Sequence, residues 1–133
     1  MAKRVPVPGG MLEYAVLQAL WDLGEASVRQ VHEQVGEYRH RGYTTIATVL
    51  DRLRAKGLAS KRRARDNTLR YRAAFSREVV ERTRIRAVLG DLFGSPSKPA
   101  MAGLVDALES VNPQLLEELA RAVTARRRIR HRS

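Results

Sequence analysis

Along the first sixty or so residues, apolar positions recur at helical spacing in three successive segments. In the segment from about residue 10 to 23, MLEYAVLQALWDL, they fall at Leu12, Val16, Ala19, Leu20 and Leu23, one face of a helix. Gly24 follows, where a helix commonly closes on a glycine. The next segment, SVRQVHEQV, opens with Ser27 and carries Gln30 three positions later, the pairing of a capping box. Val28, Val31 and Val35 line one face of this short second helix, and GEYRHRGY after it reads as a loop. A third helix is expected from about Thr44 to Lys56, with Ile46, Val49, Leu50 and Leu53 as its buried stripe and Gly57 as its stop.

After Gly57 the apolar period shortens from that of a helix to that of a strand. In LASKRRA and LRYRA, small or apolar residues alternate with Arg and Lys, the pattern of a strand with one buried face. Asp66 and Asn67 lie between them, and both residue types tolerate the left-handed backbone of a turn. Three helices followed by a basic hairpin is the order of a winged helix-turn-helix domain. The expected fold class is therefore mainly α, of the α+β type, with a two-stranded wing.

From residue 76 onward the pattern is helical throughout. SREVVERTRIRAVLGDLF offers Val80, Ile85, Val88, Leu89, Leu92 and Phe93 as an apolar face, and GSPSKP breaks the chain after it. AMAGLVDALES brings Met101, Leu104, Val105 and Leu108 together. The last helix starts at Asn112 as N-cap with Pro113 in the first turn, and carries Leu115, Leu116, Leu119, Ala122 and Val123. Three short helices over roughly 55 residues bury too little surface to stand alone. A second copy of the chain is expected to complete their core through Val88, Leu89, Leu92, Phe93, Leu104, Val105, Leu108, Leu115, Leu119 and Val123, an intramolecular helical cap being the alternative. The expected organisation is a flexible arm over 1–9, a winged helix-turn-helix domain over 10–75, a three-helix dimerisation region over 76–125 and a basic tail over 126–133.

Charge then points to a partner. Lys and Arg number 25 against 14 Asp and Glu, a formal net charge of +11 with a pI of about 11.1. A polyanion is the natural partner for such a chain, and nucleic acid fits better than a membrane surface. The chain has no cysteine, which excludes disulfides, thiolate zinc sites and a cysteine nucleophile. The start MAKRVPVPGG puts Pro6, Pro8, Gly9 and Gly10 where a signal peptide needs an apolar run, and no segment approaches the roughly 20 apolar residues of a membrane span. A cytoplasmic protein is expected. His32, His40 and His131 lack metal-ligand spacing, and no catalytic or nucleotide-binding motif is present, so neither an enzyme nor a cofactor is expected.

With the apolar stripe of the third helix inward, Thr44, Thr45, Thr48 and Arg52 look outward. Helix-turn-helix proteins lay the N-terminal part of this helix in the major groove, where threonine can meet phosphates, base edges or the thymine methyl. Arg41 and Tyr43 precede the helix and are positioned for the flanking backbone. Lys61, Arg62, Arg63, Arg65, Arg70 and Arg72 fall within twelve positions of the hairpin, partly offset by Asp66. Side chains alternate in direction along a strand, so only some of these can face DNA at once; their expected role is phosphate contact. A sequence-neutral, nucleoid-type binder is the rival reading, because a basic wing and tail would serve it equally well.

VLQALWDLGEASVRQV, TTIATVLDRLRAKGLASKR and LRYRAAFSREVV resemble the penicillinase-repressor family of BlaI, MecI and the copper repressors of the CopY type. The resemblance runs from about Glu13 to Val123 and is most specific in the third helix. It implies a homodimeric bacterial repressor, whose winged helix-turn-helix reads a dyad-symmetric operator and whose C-terminal helices dimerise. Thr45, Thr48 and Arg52 fall on the motif positions of the recognition helix, and Trp21 on a core position near the wing. The family also implies an inducing protease or other signal partner. Its members are cleaved at an Asn-Phe bond in the dimerisation region, whereas Asp106 and Ala107 stand in the corresponding place here. The copper-responsive relatives bind metal through cysteines, which this chain lacks.

Overall fold

Val16, Leu17 and Leu20 of α1 (Met11–Leu23) lose all exposure to solvent, because this helix is covered on more than one side. A computed structural model describes residues 5–94 and 98–132. In it, α1 is followed by a two-residue strand β1 (Glu25–Ala26), α2 (Val28–Gln34), a 3-10 helix (Gly36–His40) and α3 (Tyr43–Ala55). The strands β2 (Ala59–Arg63) and β3 (Leu69–Ala73) come next, then α4 (Arg77–Phe93), α5 (Lys98–Val111) and α6 (Pro113–Arg132). The chain falls into two compact units, the first ending at Val88 and the second beginning at Leu89.

Local chemistry explains the boundaries. The Ser27 hydroxyl accepts from the Gln30 amide at 3.3 Å while the Gln30 side chain accepts from the Ser27 amide at 2.9 Å, so the capping box closes at both ends. At the end of α3, Gly57 adopts φ 84°, the Leu58 amide donates back to Leu53 O at 2.9 Å and the Gly57 amide to Arg54 O at 3.0 Å. That is a Schellman ending, with Leu58 buried beside Leu53 as its apolar contact. In the wing, Asn67 takes φ 70° and Asp66 accepts from both the amide and the hydroxyl of Thr68, which makes the turn tight.

The sheet has the order β1-β3-β2, antiparallel throughout. The hairpin expected from the sequence is its larger part; β1, with Glu25 opposite Arg72 and Ala26 opposite Tyr71, adds a third strand too short to leave a periodic signal. Its core side carries Ala26, Ala59 and Tyr71 against Ile46, Leu50 and Leu53 of α3. Leu17 belongs to that core, while Leu23, expected inside, is half-exposed at the helix end. Of the segment GEYRHRGY expected as a loop, Gly36–His40 form the 3-10 helix and Tyr43 begins α3. Residues 1–4 of the expected arm lie outside the described residues, whereas Val5 packs on the core and Pro8 is buried.

Of the apolar residues expected along α4, Val80 alone is buried, and it joins the core of the first unit. Ile85, Val88 and Leu92 are exposed, at 60%, 56% and 55%. In the second unit α5 and α6 pack on each other, yet none of its described residues is buried. Of the break expected over GSPSKP, residues 95–97 lie outside the described residues, while Lys98 and Pro99 already belong to α5. Among the described residues, no helix is long and apolar enough to cross a membrane.

Candidate nucleic-acid interface

Burying Ile46, Val49, Leu50 and Leu53 turns the opposite stripe of α3 outward: Thr44, Thr48 and Arg52 are exposed, and Thr45 is half-buried at its edge. Gly42 caps the helix without a side chain, so the first-turn amides carry the positive end of the helix dipole with no competing side-chain acceptor. Thr48 Oγ1 donates to Thr44 O at 3.0 Å, which occupies its hydroxyl proton and leaves its methyl group and lone pairs for a partner. Arg41 and Tyr43 are exposed beside this end. His32 holds the turn there, since its Nε2 lies 3.0 Å from Arg39 O and 2.8 Å from Arg41 O, two acceptors that require a proton on that nitrogen.

The far end of α3 is fixed by a residue that the apolar pattern did not single out. Glu13 of α1 is only 4% exposed and receives Lys56 Nζ at 2.8 Å, the Gly9 amide at 3.2 Å and Arg52 Nη1 at 3.9 Å. Burial pushes the Glu13 carboxyl up, but the Lys56 and Gly9 hydrogen bonds and the charges of Lys56 and Arg52 together outweigh it and hold the group below its ordinary value. Arg52 thus leans from the outer face of α3 toward α1.

Strand register sorts the wing cations into two faces. Lys61 stands opposite Tyr71 and Arg63 opposite Leu69, on the side of the sheet that meets α3. Arg62 stands opposite Arg70, and Ser60 opposite Arg72, on the other side, where Glu25 also lies. Lys61 Nζ reaches Asp51 of α3 at 3.3 Å, and Tyr71 OH donates to the same carboxylate oxygen at 2.8 Å. This neutralises a carboxylate on the exposed side of α3. Burial, followed by the Asp51 hydrogen bond and charge, pushes the Tyr71 phenol up to about 12. Arg63 donates to Asn67 within the turn, at 3.0 Å to its side chain. Arg70 meets Gln30 at 3.2 Å and Asp66 at 3.7 Å, and Arg62 pairs with Glu25. Arg65 projects exposed from the wing tip. The hairpin cations, only some of which were expected to face DNA at once, divide between an α3 side and a far side, and most of them already have a protein partner.

Trp21 lies at the core edge as the resemblance implies, its Nε1 donating to Phe75 O at 2.9 Å where β3 gives way to α4. The Arg77 guanidinium covers its ring at 5.2 Å. Tyr14 donates to Glu81 under the Arg84 guanidinium, which sits 3.8 Å from the ring centre. These interactions clamp the start of α4 onto α1.

The family model described as penicillinase repressor matches residues 9–125. The chain belongs to the penicillinase repressor family. It is 36% identical over 115 residues to the transcriptional regulator BlaI of Mycobacterium tuberculosis, in each of two strains, covering 86% of this chain and 81% of the relative. The crystal structure of the PcaV transcriptional regulator from Streptomyces coelicolor with its natural ligand is also similar, at 25% identity and a TM-score of 0.46, covering 78% of this chain and 74% of that one. Family membership makes this chain a DNA-binding transcriptional repressor and not an enzyme. The outward stripe of α3 and the basic wing are accordingly its candidate DNA surface, and the apolar residues left exposed from Val88 to Val123 its candidate dimer surface.

Proposed function

We infer that the protein represses transcription as a cytoplasmic homodimer on a dyad-symmetric operator, each protomer setting α3 in the major groove of one half-site. The observation that carries this is the polar outer stripe of α3, beginning at a helix end without a side-chain cap and bordered by wing cations on the same side. Thr44, Thr45 and Thr48 supply the groove-facing contacts, with Arg52 beside them. Arg41, Tyr43, Lys61, Arg63 and the tip Arg65 hold the flanking phosphates. Arg62 and Arg70, on the far face, contribute mainly through the field of the wing.

Dimerisation is supported by the C-terminal helices, whose apolar residues a single copy leaves open to water. Leu89, Leu92, Phe93, Leu104, Val105, Leu108, Leu115, Leu119 and Val123, with Val88, form the seam in this reading. A signal partner, protease or other, would act by loosening that seam. Its route would differ from cleavage at an Asn-Phe bond, because no Asn-Phe dipeptide occurs in the sequence.

Sedimentation of the full chain, alone and on operator DNA, tests the assembly. Two protomers per site are expected, and Leu119→Glu should give monomers with weakened operator binding. A parent chain that sediments as a monomer and saturates the operator one to one would remove the dimer from this reading.

A further inference from the structure

We propose that the last two turns of α6 are a second DNA contact, a helical grip on the phosphate backbone that carries no sequence preference. The helix continues to Arg132, through the stretch ARRRIRHR. Glu118 is the last carboxylate side chain in the sequence, and after it come Arg121, Arg126, Arg127, Arg128, Arg130 and Arg132 with His131. Acceptors one helical turn away reach Arg121, which meets Glu117 at 3.7 Å, but no acidic residue lies within four positions of Arg126, Arg127 or Arg128. The cations sit at the negative end of the helix dipole, which favours a helix there.

The stripe pattern selects the occupant. Leu119 and Val123 belong to the apolar face of α6, and two turns further along the same stripe stand Arg126 and Arg130. The apolar seam therefore ends at Val123, and a second copy laid along the last two turns would bring arginine against arginine. A membrane surface needs a broad apolar face opposite the charges. Ile129 is the single large apolar residue in these turns, which fits a phosphate backbone and not a bilayer. The choice of DNA as the polyanion rests on the repressor reading; the location of the grip does not.

The test compares the full chain with its R126Q/R127Q/R128Q/R130Q variant, using fluorescence anisotropy on a random-sequence duplex at several salt concentrations. The variant should lower the slope of log affinity against log salt by about 0.9 for each phosphate it no longer neutralises, with roughly tenfold or greater weakening of binding at low salt. Lysine at the same four positions should restore most of both. An unchanged slope in the glutamine variant overturns the proposal. So does tail-dependent binding to phosphatidylglycerol vesicles without a change on DNA, which would make the tail a membrane anchor. A tail-dependent slope on random DNA, from a parent that protects no dyad on any operator, would uphold this grip while sinking the repressor reading.

Discussion

Arg62 of β2 grips Glu25 of β1 with two guanidinium nitrogens, Nε donating at 2.9 Å to one carboxylate oxygen and Nη2 to the other. The Arg62 hydrogen bond, against a smaller opposing effect of desolvation, holds the Glu25 carboxyl below its ordinary value. One of the six hairpin cations expected to contact phosphate is thus already committed to a neighbouring strand. Its partner, a two-residue strand, is one that periodicity could not detect.

Replacing Glu25 with Gln removes one carboxylate charge and weakens its hold on Arg62. Affinity for random-sequence DNA should rise, and the salt slope should steepen by at most about one per protomer. A slope equal to that of the parent, measured by anisotropy, would show that Arg62 contributes nothing to the DNA field whether paired or free.

The two threonines of the recognition motif should differ. Thr48 has its hydroxyl proton bound to Thr44 O, whereas Thr45 shows no such internal bond. Valine keeps the methyl group and removes the hydroxyl, so Thr48→Val, which loses only an acceptor for DNA, should shift operator preference less than Thr45→Val. Thr45→Val should shift preference among single-base operator variants by about 1 kcal/mol, roughly fivefold. Competition binding on those variants measures both, and a larger shift for Thr48→Val would reverse the assignment.

Glu13 ties α1 to the C-terminal end of α3, and its lowered pKa gives the tie a pH signature. A carboxyl depressed in the fold contributes stability above its ordinary value of 4.5 that is lost as pH falls toward the folded value. Glu13→Gln should cost about 1–3 kcal/mol near neutral pH, from the weakened charge-assisted bonds to Lys56 and Gly9. The difference between parent and variant should shrink below pH 4.5. Urea melts at several pH values read this directly, and a constant difference across the range would place the effect elsewhere than in the ionised carboxylate.

Where the chain is cut should matter for folding as well as for dimerisation. Truncation after Phe75 removes Val80 from the core and Glu81 and Arg84 from Tyr14. Removing the buried Val80 alone should cost about 1.5–3 kcal/mol. Truncation after Val88 keeps these interactions and should give a folded monomer. Thermal melts should therefore favour the longer fragment by several degrees, and equal melting temperatures would deny α4 its role in the first unit.

Much of the fold was legible because several local signals agreed. The apolar stripe of α3, the Ser27–Gln30 box and the turn residues Gly57 and Asn67 each fix a few backbone angles, and each is found as its chemistry requires. Three features were hidden for physical reasons. Strand β1 is too short to show a period, and the 3-10 helix at Gly36–His40 is shorter than any amphipathic window. Glu13 was hidden because a buried acid is recognisable only through partners distant in sequence, here Lys56 and Arg52. The wing posed a different difficulty. Its composition announced a cation cluster, while the choice of which cations share a side with α3 depended on strand register and on Glu25 and Asp51.

In the proposed complex α3 reads a two-fold site while the cations supply a sequence-neutral grip. Footprinting the full-length protein on the DNA upstream of its own gene, at about physiological salt, tests it most directly, because specific and counterion-driven binding separate there. A short protected dyad, with half-sites about one or two helical turns apart, is the predicted result. Diffuse protection that fades with added salt would contradict it and leave the wing and tail as a general polyanion grip.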